Sequence, residues 1–167
     1  MTILKQTTCF HLNEKDFEIA NVYADLYSQM IIQYINMKNQ AVASLKDLAL
    51  EFYNQELYRN AEKYFLLIQH HYGEDAFNAE DYLIFGEIEE KLNHVSSAMA
   101  SYQHIVRRFK NSAYVKEAYQ HLIRLYSLCN NRSKAEEVRN LYAMAKHKRQ
   151  SYKRTSFKKI AVNKKKV

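Results

Sequence analysis

The chain has 167 residues, of which 47% are hydrophobic, and it contains no Pro, no Trp and two Gly. Its length suits one domain with a buried core, and so few chain breakers exclude a turn-rich β fold and predict an all-α protein. The net charge of +7 is uneven, because residues 146–167 contain ten Lys or Arg and no acidic residue. The remainder carries 15 basic and 18 acidic side chains, so a mildly acidic body precedes a strongly basic tail.

Apolar side chains then recur at the spacing of one helix face along most of the chain. Residues 1–12 are expected to be a loose lead-in, after which Asn13 caps the first helix. In chain order, the predicted helices cover residues 14–36, 41–54, 57–71, 78–92, 95–109 and 112–128, with a last helix entered at Ser133. Ser133 and Glu136 have the spacing of a capping box for that last helix. The N-terminal unit is therefore 1–40, the helical body 41–145, and 146–167 a basic tail that is expected to be flexible.

Small residues recur at a fixed interval through this pattern. Ala61, Ala98 and Ala135 are 37 residues apart, and one more step back reaches Ala24. Gly86 lies in the middle of a predicted helix, where glycine costs about 1 kcal/mol relative to alanine. A close approach by a neighbouring helix would account for this glycine. The spacing predicts an array of repeated helix pairs.

Over residues 41–145 the pattern resembles the tetratricopeptide repeat (TPR) family. The matching positions are Leu45, Tyr82 and Tyr119; Leu48, Phe85 and Leu122; Ala49 and Gly86; Phe52 and Tyr126; Ala61, Ala98 and Ala135; and Phe65 and Tyr102. The resemblance implies about three TPR-like helix pairs in a right-handed superhelical array, preceded by an extra N-terminal helix and followed by the basic tail. The chain departs from the family in its 37-residue period, in its lack of proline, and at Glu89, Ile123 and Arg139.

The resemblance also implies a concave groove lined by the first helix of each pair. The implied lining residues are Lys46, Asp47, Leu50, Tyr53, Asn54, Glu80, Leu83, Ile84, Glu87, Lys91, Gln120, His121 and Arg124. Leu83 and Ile84 are apolar on the side away from the predicted core, and we expect them to anchor an apolar partner segment. The alternative is that the N-terminal helix or a second copy of the chain covers them.

The basic tail interleaves aromatic side chains with its charges. Its candidate contacts with an anionic partner are Lys148, Arg149, Tyr152, Lys153, Arg154, Phe157, Lys158, Lys159, Lys164, Lys165 and Lys166. Such a segment can bind nucleic acid, anionic lipid or an acidic protein, with Tyr152 and Phe157 available to stack on bases. The alternative is a solvated segment that binds nothing.

Neither an enzyme, a cofactor nor a metal site is expected. The chain lacks the catalytic and phosphate-binding motifs that would indicate one, and His70 and His71 are adjacent, so they point about 100° apart on a helix. Cys9 and Cys129 have no disulfide or metal-site spacing. With neither an apolar leader nor an apolar run of about 18 residues, the chain is expected to be cytoplasmic.

Two classes of function follow, with a subtype of the first. The first class is a non-enzymatic adaptor or scaffold that holds a partner protein or peptide in the groove. A subtype resembles the small TPR chaperones of secretion translocators, although these are usually acidic. The second class is a nucleic-acid- or ribosome-associated factor that grips its partner through the tail. Free apolar helix faces at the ends of the array would also allow two copies to pair.

Overall fold

The computed structural model describes residues 2–34 and 38–146, and within these ranges the chain is all-α, without strands. The helices are α1 (Thr2–Asn13), α2 (Phe17–Tyr34), α3 (Lys38–Asn54), α4 (Tyr58–Tyr72), α5 (Ala79–Lys91), α6 (Val95–Arg108), α7 (Val115–Leu128) and α8 (132–146). A single 3₁₀ turn, Glu74–Ala76, lies between α4 and α5. No helix in the described ranges combines the length and apolar character needed to cross a membrane.

Neighbouring helices pack as pairs. The most extensive contacts join α1 to α2, α3 to α4, and α5 to α6. Within the α5–α6 pair the two helices are antiparallel, because Tyr82 near the start of α5 stacks on His104 late in α6, whereas Glu90 near the end of α5 meets Tyr102 earlier in α6. At the C-terminal end, the rings of Tyr119 on α7 and Tyr142 on α8 lie 5.2 Å apart. We call α1, α3, α5 and α7 the first helices, and α2, α4, α6 and α8 the second helices.

The prediction of a loose lead-in is wrong, because residues 2–13 form α1. Thr8 and Leu12 follow each other at i and i+4 and are both fully buried, and the Thr8 hydroxyl donates to the Leu4 carbonyl at 2.8 Å. Asn13 is the last residue of α1 and not the cap of the next helix. The chain turns at Lys15, which has a positive φ of 60°. The N-terminal region is therefore a helix pair, and contacts of α1 with both α2 and α3 hold it in place.

The helix ends show which local signals the chain uses. Gly73 and Asn93 take positive φ values of 79° and 61°, as expected of residues that end helices. The Asn78 side chain accepts hydrogen bonds from the backbone N–H groups of Glu80 and Asp81, and the Asp81 carboxylate accepts one from Asn78, which completes a capping box. The predicted capping box at Ser133 is wrong. Asn131 accepts the Lys134 N–H at 3.1 Å, and Ser133 lies inside α8.

The 37-residue period corresponds to equivalent places in the fold. Ala24, Ala61, Ala98 and Ala135 lie on α2, α4, α6 and α8, and none is more than 1% exposed. A small side chain at this position of every second helix lets a neighbouring helix approach. The prediction for Gly86 rests on the same physics and is confirmed. A Cβ placed on Gly86 would lie 2.6 Å from a ring carbon of Tyr102 on α6.

Candidate functional site

Polar side chains link the first helices to one another. Lys5 on α1 donates to Asp47 on α3 at 2.7 Å, and Tyr53 on α3 donates to Glu87 on α5 at 2.8 Å. The side chains of Lys46 on α3 and Asp81 on α5 form an ion pair that is largely shielded from solvent. These contacts place α1, α3 and α5 side by side.

Glu90 extends this line to α7. Its carboxylate accepts hydrogen bonds from the Tyr102 hydroxyl at 2.8 Å and from the Arg124 guanidinium, and it lies 2.6 Å from His121 Nδ1. Burial by itself raises the pKa of Glu90, but the bonds from Tyr102, His121 and Arg124 outweigh burial and hold the pKa below its ordinary value of 4.5. Glu90 is therefore an anion that connects α5, α6 and α7. The surface along α1, α3, α5 and α7 that carries these pairs is called the first-helix face below.

The thirteen predicted groove residues lie on α3, α5 and α7, but they differ in what they offer to a partner. Six are exposed: Asp47, Asn54, Glu80, Lys91, Gln120 and Arg124. Six more are half-buried: Lys46, Leu50, Tyr53, Ile84, Glu87 and His121. Several of these charges are already paired within the chain, so they organise the face as well as lining it.

Leu83 does not fit its predicted role as an exposed anchor, because it is only 6% exposed and belongs to the hydrophobic core. The reason is the position of α5 in the middle of the molecule. It packs against α4 and α6, and its polar side chains also meet α3 and α7. A helix enclosed on so many sides buries more than one stripe. Ile84, its neighbour, remains half-buried and accessible.

The proposed contacts of the tail, from Lys148 to Lys166, lie outside the described residues. Their role stays a prediction from charge and aromatic content.

Sequence reasoning missed a second line of polar contacts between the second helices. Asp25 on α2 accepts hydrogen bonds from Lys63 at 2.6 Å and from the Tyr64 hydroxyl at 2.7 Å, both on α4. The side chains of Asn21 and Asn60 also meet. These pairs are 38 or 39 residues apart in sequence, close to the repeat period, which is the signal that would have found them.

A third group, Glu62, Glu89 and His94, was also missed. His94 Nδ1 lies 3.0 Å from a carboxylate oxygen of Glu62 and 3.0 Å from one of Glu89. Burial raises the pKa of Glu89 above its ordinary 4.5, the charge of Glu62 raises it further, and His94 opposes both. The sequence signal was present, because Glu89 occupies the repeat position that Phe52 and Tyr126 occupy in the neighbouring units.

The surface also has a shallow cleft of about 150 Å³ between α6, α7 and α8. Gln103, Val106, Leu122, Val138 and Leu141 contribute to its walls. Small-molecule sites usually enclose about 300–1,000 Å³. The cleft is therefore too small for an ordinary substrate pocket.

The chain matches no protein-family model. No curated protein is significantly similar to it.

Proposed function

We propose that this protein is a non-enzymatic adaptor whose helix pairs form a TPR-like, right-handed superhelical array and whose first-helix face binds a segment of a partner protein. The observation that carries the proposal is a set of three contacts between first helices: Lys5 with Asp47, Tyr53 with Glu87, and Arg124 with Glu90. These contacts link four helices from different pairs in succession along the first-helix face. Such surfaces in repeat proteins bind extended or helical peptides.

The chemistry of the face supports a partner segment of mixed character. Leu50 and Ile84 supply half-buried apolar contacts, and Glu80, Lys91 and Gln120 supply exposed polar groups around them. Lys91 is held over the ring of Tyr58 at 5.8 Å, which restrains its side chain. Because the paired charges restrict the lining side chains before binding, the face loses less conformational entropy when a partner docks.

The test is retention of partner proteins by two matched double variants. Ile84→Ser with Gln120→Lys alters the first-helix face, whereas Leu66→Ser with His70→Lys makes similar changes on exposed positions of α4. We expect the first variant to keep its helical circular dichroism. The amount of partner protein that it retains should be at least tenfold lower than the amount that the wild type retains. The α4 variant should retain them. Equal retention by both variants would rule out the first-helix face as the binding surface.

A second candidate function rests on the charge distribution of the sequence. Residues 146–167 carry ten Lys or Arg and no acidic residue, beside a mildly acidic body. We propose as the alternative that this tail binds nucleic acid, as in a ribosome-associated factor, by neutralising phosphates and releasing counterions. Binding to single-stranded RNA should then weaken steeply with salt and disappear on truncation after Ala145. RNA binding by the truncated chain would exclude the tail as the RNA-binding segment. If the protein still retains partner proteins after nuclease treatment, the adaptor function is favoured.

A further inference from the structure

The side chains of Glu62, Glu89 and His94 converge at the junction of three helices. Glu62 lies on α4, Glu89 near the end of α5, and His94 in the turn that begins α6. One ligand atom from each lies within 4.8 Å of the other two. Glu89 is only 3% exposed, whereas the His94 side chain is 50% exposed, so the group has a buried wall and a side open to solvent.

The hydrogen-bonding capacity of this group does not match its geometry. Two carboxylate oxygens each lie 3.0 Å from the same nitrogen, His94 Nδ1. An imidazole nitrogen carries at most one hydrogen, so it cannot give both oxygens a full hydrogen bond. One carboxylate is left poorly compensated beside another negative charge, in a place where burial makes that costly. A cation at the centre of the three atoms would compensate both.

The repeat pattern gives a second reason to expect a ligand here. The positions one unit before and after Glu89 are Phe52 and Tyr126, and Phe52 is fully buried. A carboxylate therefore occupies a position of the fold that takes an aromatic side chain elsewhere. The equivalent of His94 in the preceding unit is Leu57. Both ligand-type residues thus belong to this junction and not to the general repeat.

We propose that Glu62, Glu89 and His94 bind a Zn²⁺ ion. Zinc bonds to His nitrogen and carboxylate oxygen at about 2.0–2.2 Å, so ligand atoms around a tetrahedral ion lie roughly 3.4 Å apart. The two nitrogen–oxygen separations of 3.0 Å lie just below that spacing, and all three ligand atoms lie within 4.8 Å of one another. A mixed nitrogen and oxygen donor set suits zinc better than Mg²⁺ or Ca²⁺, which prefer oxygen alone. Water enters as the fourth ligand from the open side at His94.

The other His–carboxylate group in the described chain is a poorer choice. Glu87, Glu117 and His121 also approach one another within 4.8 Å. However, the Arg124 guanidinium lies 3.2 Å from His121 Nδ1 and binds Glu90, so a positive charge already occupies that neighbourhood. A second cation there would be repelled.

The ion would cross-link two consecutive helix pairs. Its ligands come from α4 of one pair and from α5 and the start of α6 of the next. Because the ion binds only when all three are assembled, its binding free energy adds to the stability of the folded chain.

The experiment is a calorimetric titration of the metal-free full chain with Zn²⁺, together with the variants His94→Gln and Glu89→Gln. His71→Gln is the matched control, since His71 is an exposed histidine outside the group. We expect the wild type and the control to bind one equivalent tightly and to melt at a higher temperature with zinc. The His94 and Glu89 variants should bind at least tenfold more weakly, and Co²⁺ should give the visible absorption of a tetrahedral site in the wild type only.

Two outcomes would overturn the proposal. The first is that the wild type binds no zinc. The second is that His94→Gln leaves zinc binding unchanged or that His71→Gln removes it, because the ion would then be bound by surface histidines. If Glu89→Gln disrupts folding, His94→Gln remains decisive, since His94 is half exposed in a turn and its replacement leaves the core intact.

Discussion

At the scale of single residues, Gly86 shows how one side chain can fix the distance between two helices. Tyr102 is fully buried and lies against the Gly86 backbone, while its hydroxyl reaches Glu90 at 2.8 Å. The ring atoms nearest Gly86 include the carbon that carries this hydroxyl, so the hydrogen bond to Glu90 restrains the ring where an added methyl group would meet it. Even one methyl group at position 86 would therefore meet a rigid neighbour.

We expect Gly86→Ala to destabilise the protein by about 1–2 kcal/mol. The helix gains about 1 kcal/mol from alanine, but overpacking a fixed core costs about 1–3 kcal/mol, and a 2.6 Å approach lies at the costly end. Urea denaturation followed by circular dichroism measures the change. The control is Asn140→Ala, at an exposed position of α8, which should be neutral or slightly stabilising. A Gly86→Ala protein that is more stable than wild type would contradict this packing.

His104 is a second residue whose surroundings reduce the stability of the folded chain. Its ring stacks on Tyr82 at 4.1 Å, and its Nε2 atom is buried without a hydrogen-bond partner among the described residues. Burial lowers the pKa of His104 below its ordinary 6.5. The unfolded chain then binds a proton more readily than the folded chain as the pH falls below about 6.5, so His104 makes stability decrease in that range.

Replacing His104 by Phe should remove this dependence. The variant keeps an aromatic ring against Tyr82 and removes the unpaired nitrogen, so we expect it to be more stable than wild type. The gain in stability should be larger at pH 5.5 than at pH 8, because only the wild type loses stability through protonation of His104. Thermal melts at both pH values provide the measurement. A gain that is the same at both pH values would show that folding does not lower the pKa of His104.

At the scale of helices, α1 and α8 show where local signals mislead. The sequence before Asn13 has little apolar periodicity, and it becomes helical because Thr8 and Leu12 are buried within the fold. At the other end, Ser133 and Glu136 have the spacing of a capping box, yet Asn131 caps α8 two residues earlier. Either residue satisfies the local rule, and the structure uses Asn131, so that α8 begins before Ser133.

Substitutions at these two positions should therefore differ. Asn131→Ala removes the side chain that accepts the Lys134 N–H and should cost about 1 kcal/mol in the stability of α8. Ser133→Ala, inside the helix, should be neutral or slightly stabilising. Hydrogen exchange of the α8 amides separates the two cases. If the α8 amides exchange faster in the Ser133→Ala variant alone, Ser133 and not Asn131 is the cap of α8.

At the scale of the whole molecule, equivalent alanines should differ in how far their disruption spreads. In arrays of helix pairs each unit contacts mainly its neighbours, so damage at an end stays local and damage in the middle does not. Ala98 lies on α6, packed against both α5 and α7, whereas Ala135 lies on α8 at the end of the described chain. Both are essentially fully buried.

We expect Ala98→Asp to lower the melting temperature of the entire protein, because an unpaired buried carboxylate costs several kcal/mol. Ala135→Asp should instead melt α8 and leave most of the helical circular dichroism signal intact. Ser97→Asp, an exposed neighbour on α6, controls for the added charge. Complete unfolding by Ala135→Asp would show that the helix pairs fold as one cooperative unit.

The sequence by itself determined the helical class, the approximate helix boundaries after residue 40, the 37-residue equivalence of the alanines and the close approach at Gly86. These follow from periodicity and from side-chain size, which are local properties. Tertiary structure decided the pairing of α1 with α2, the burial of Leu83, the polar line from α1 to α7 and the meeting of Glu62, Glu89 and His94. Each of these depends on residues from different helices sharing one volume, and no local pattern specifies which helix faces which.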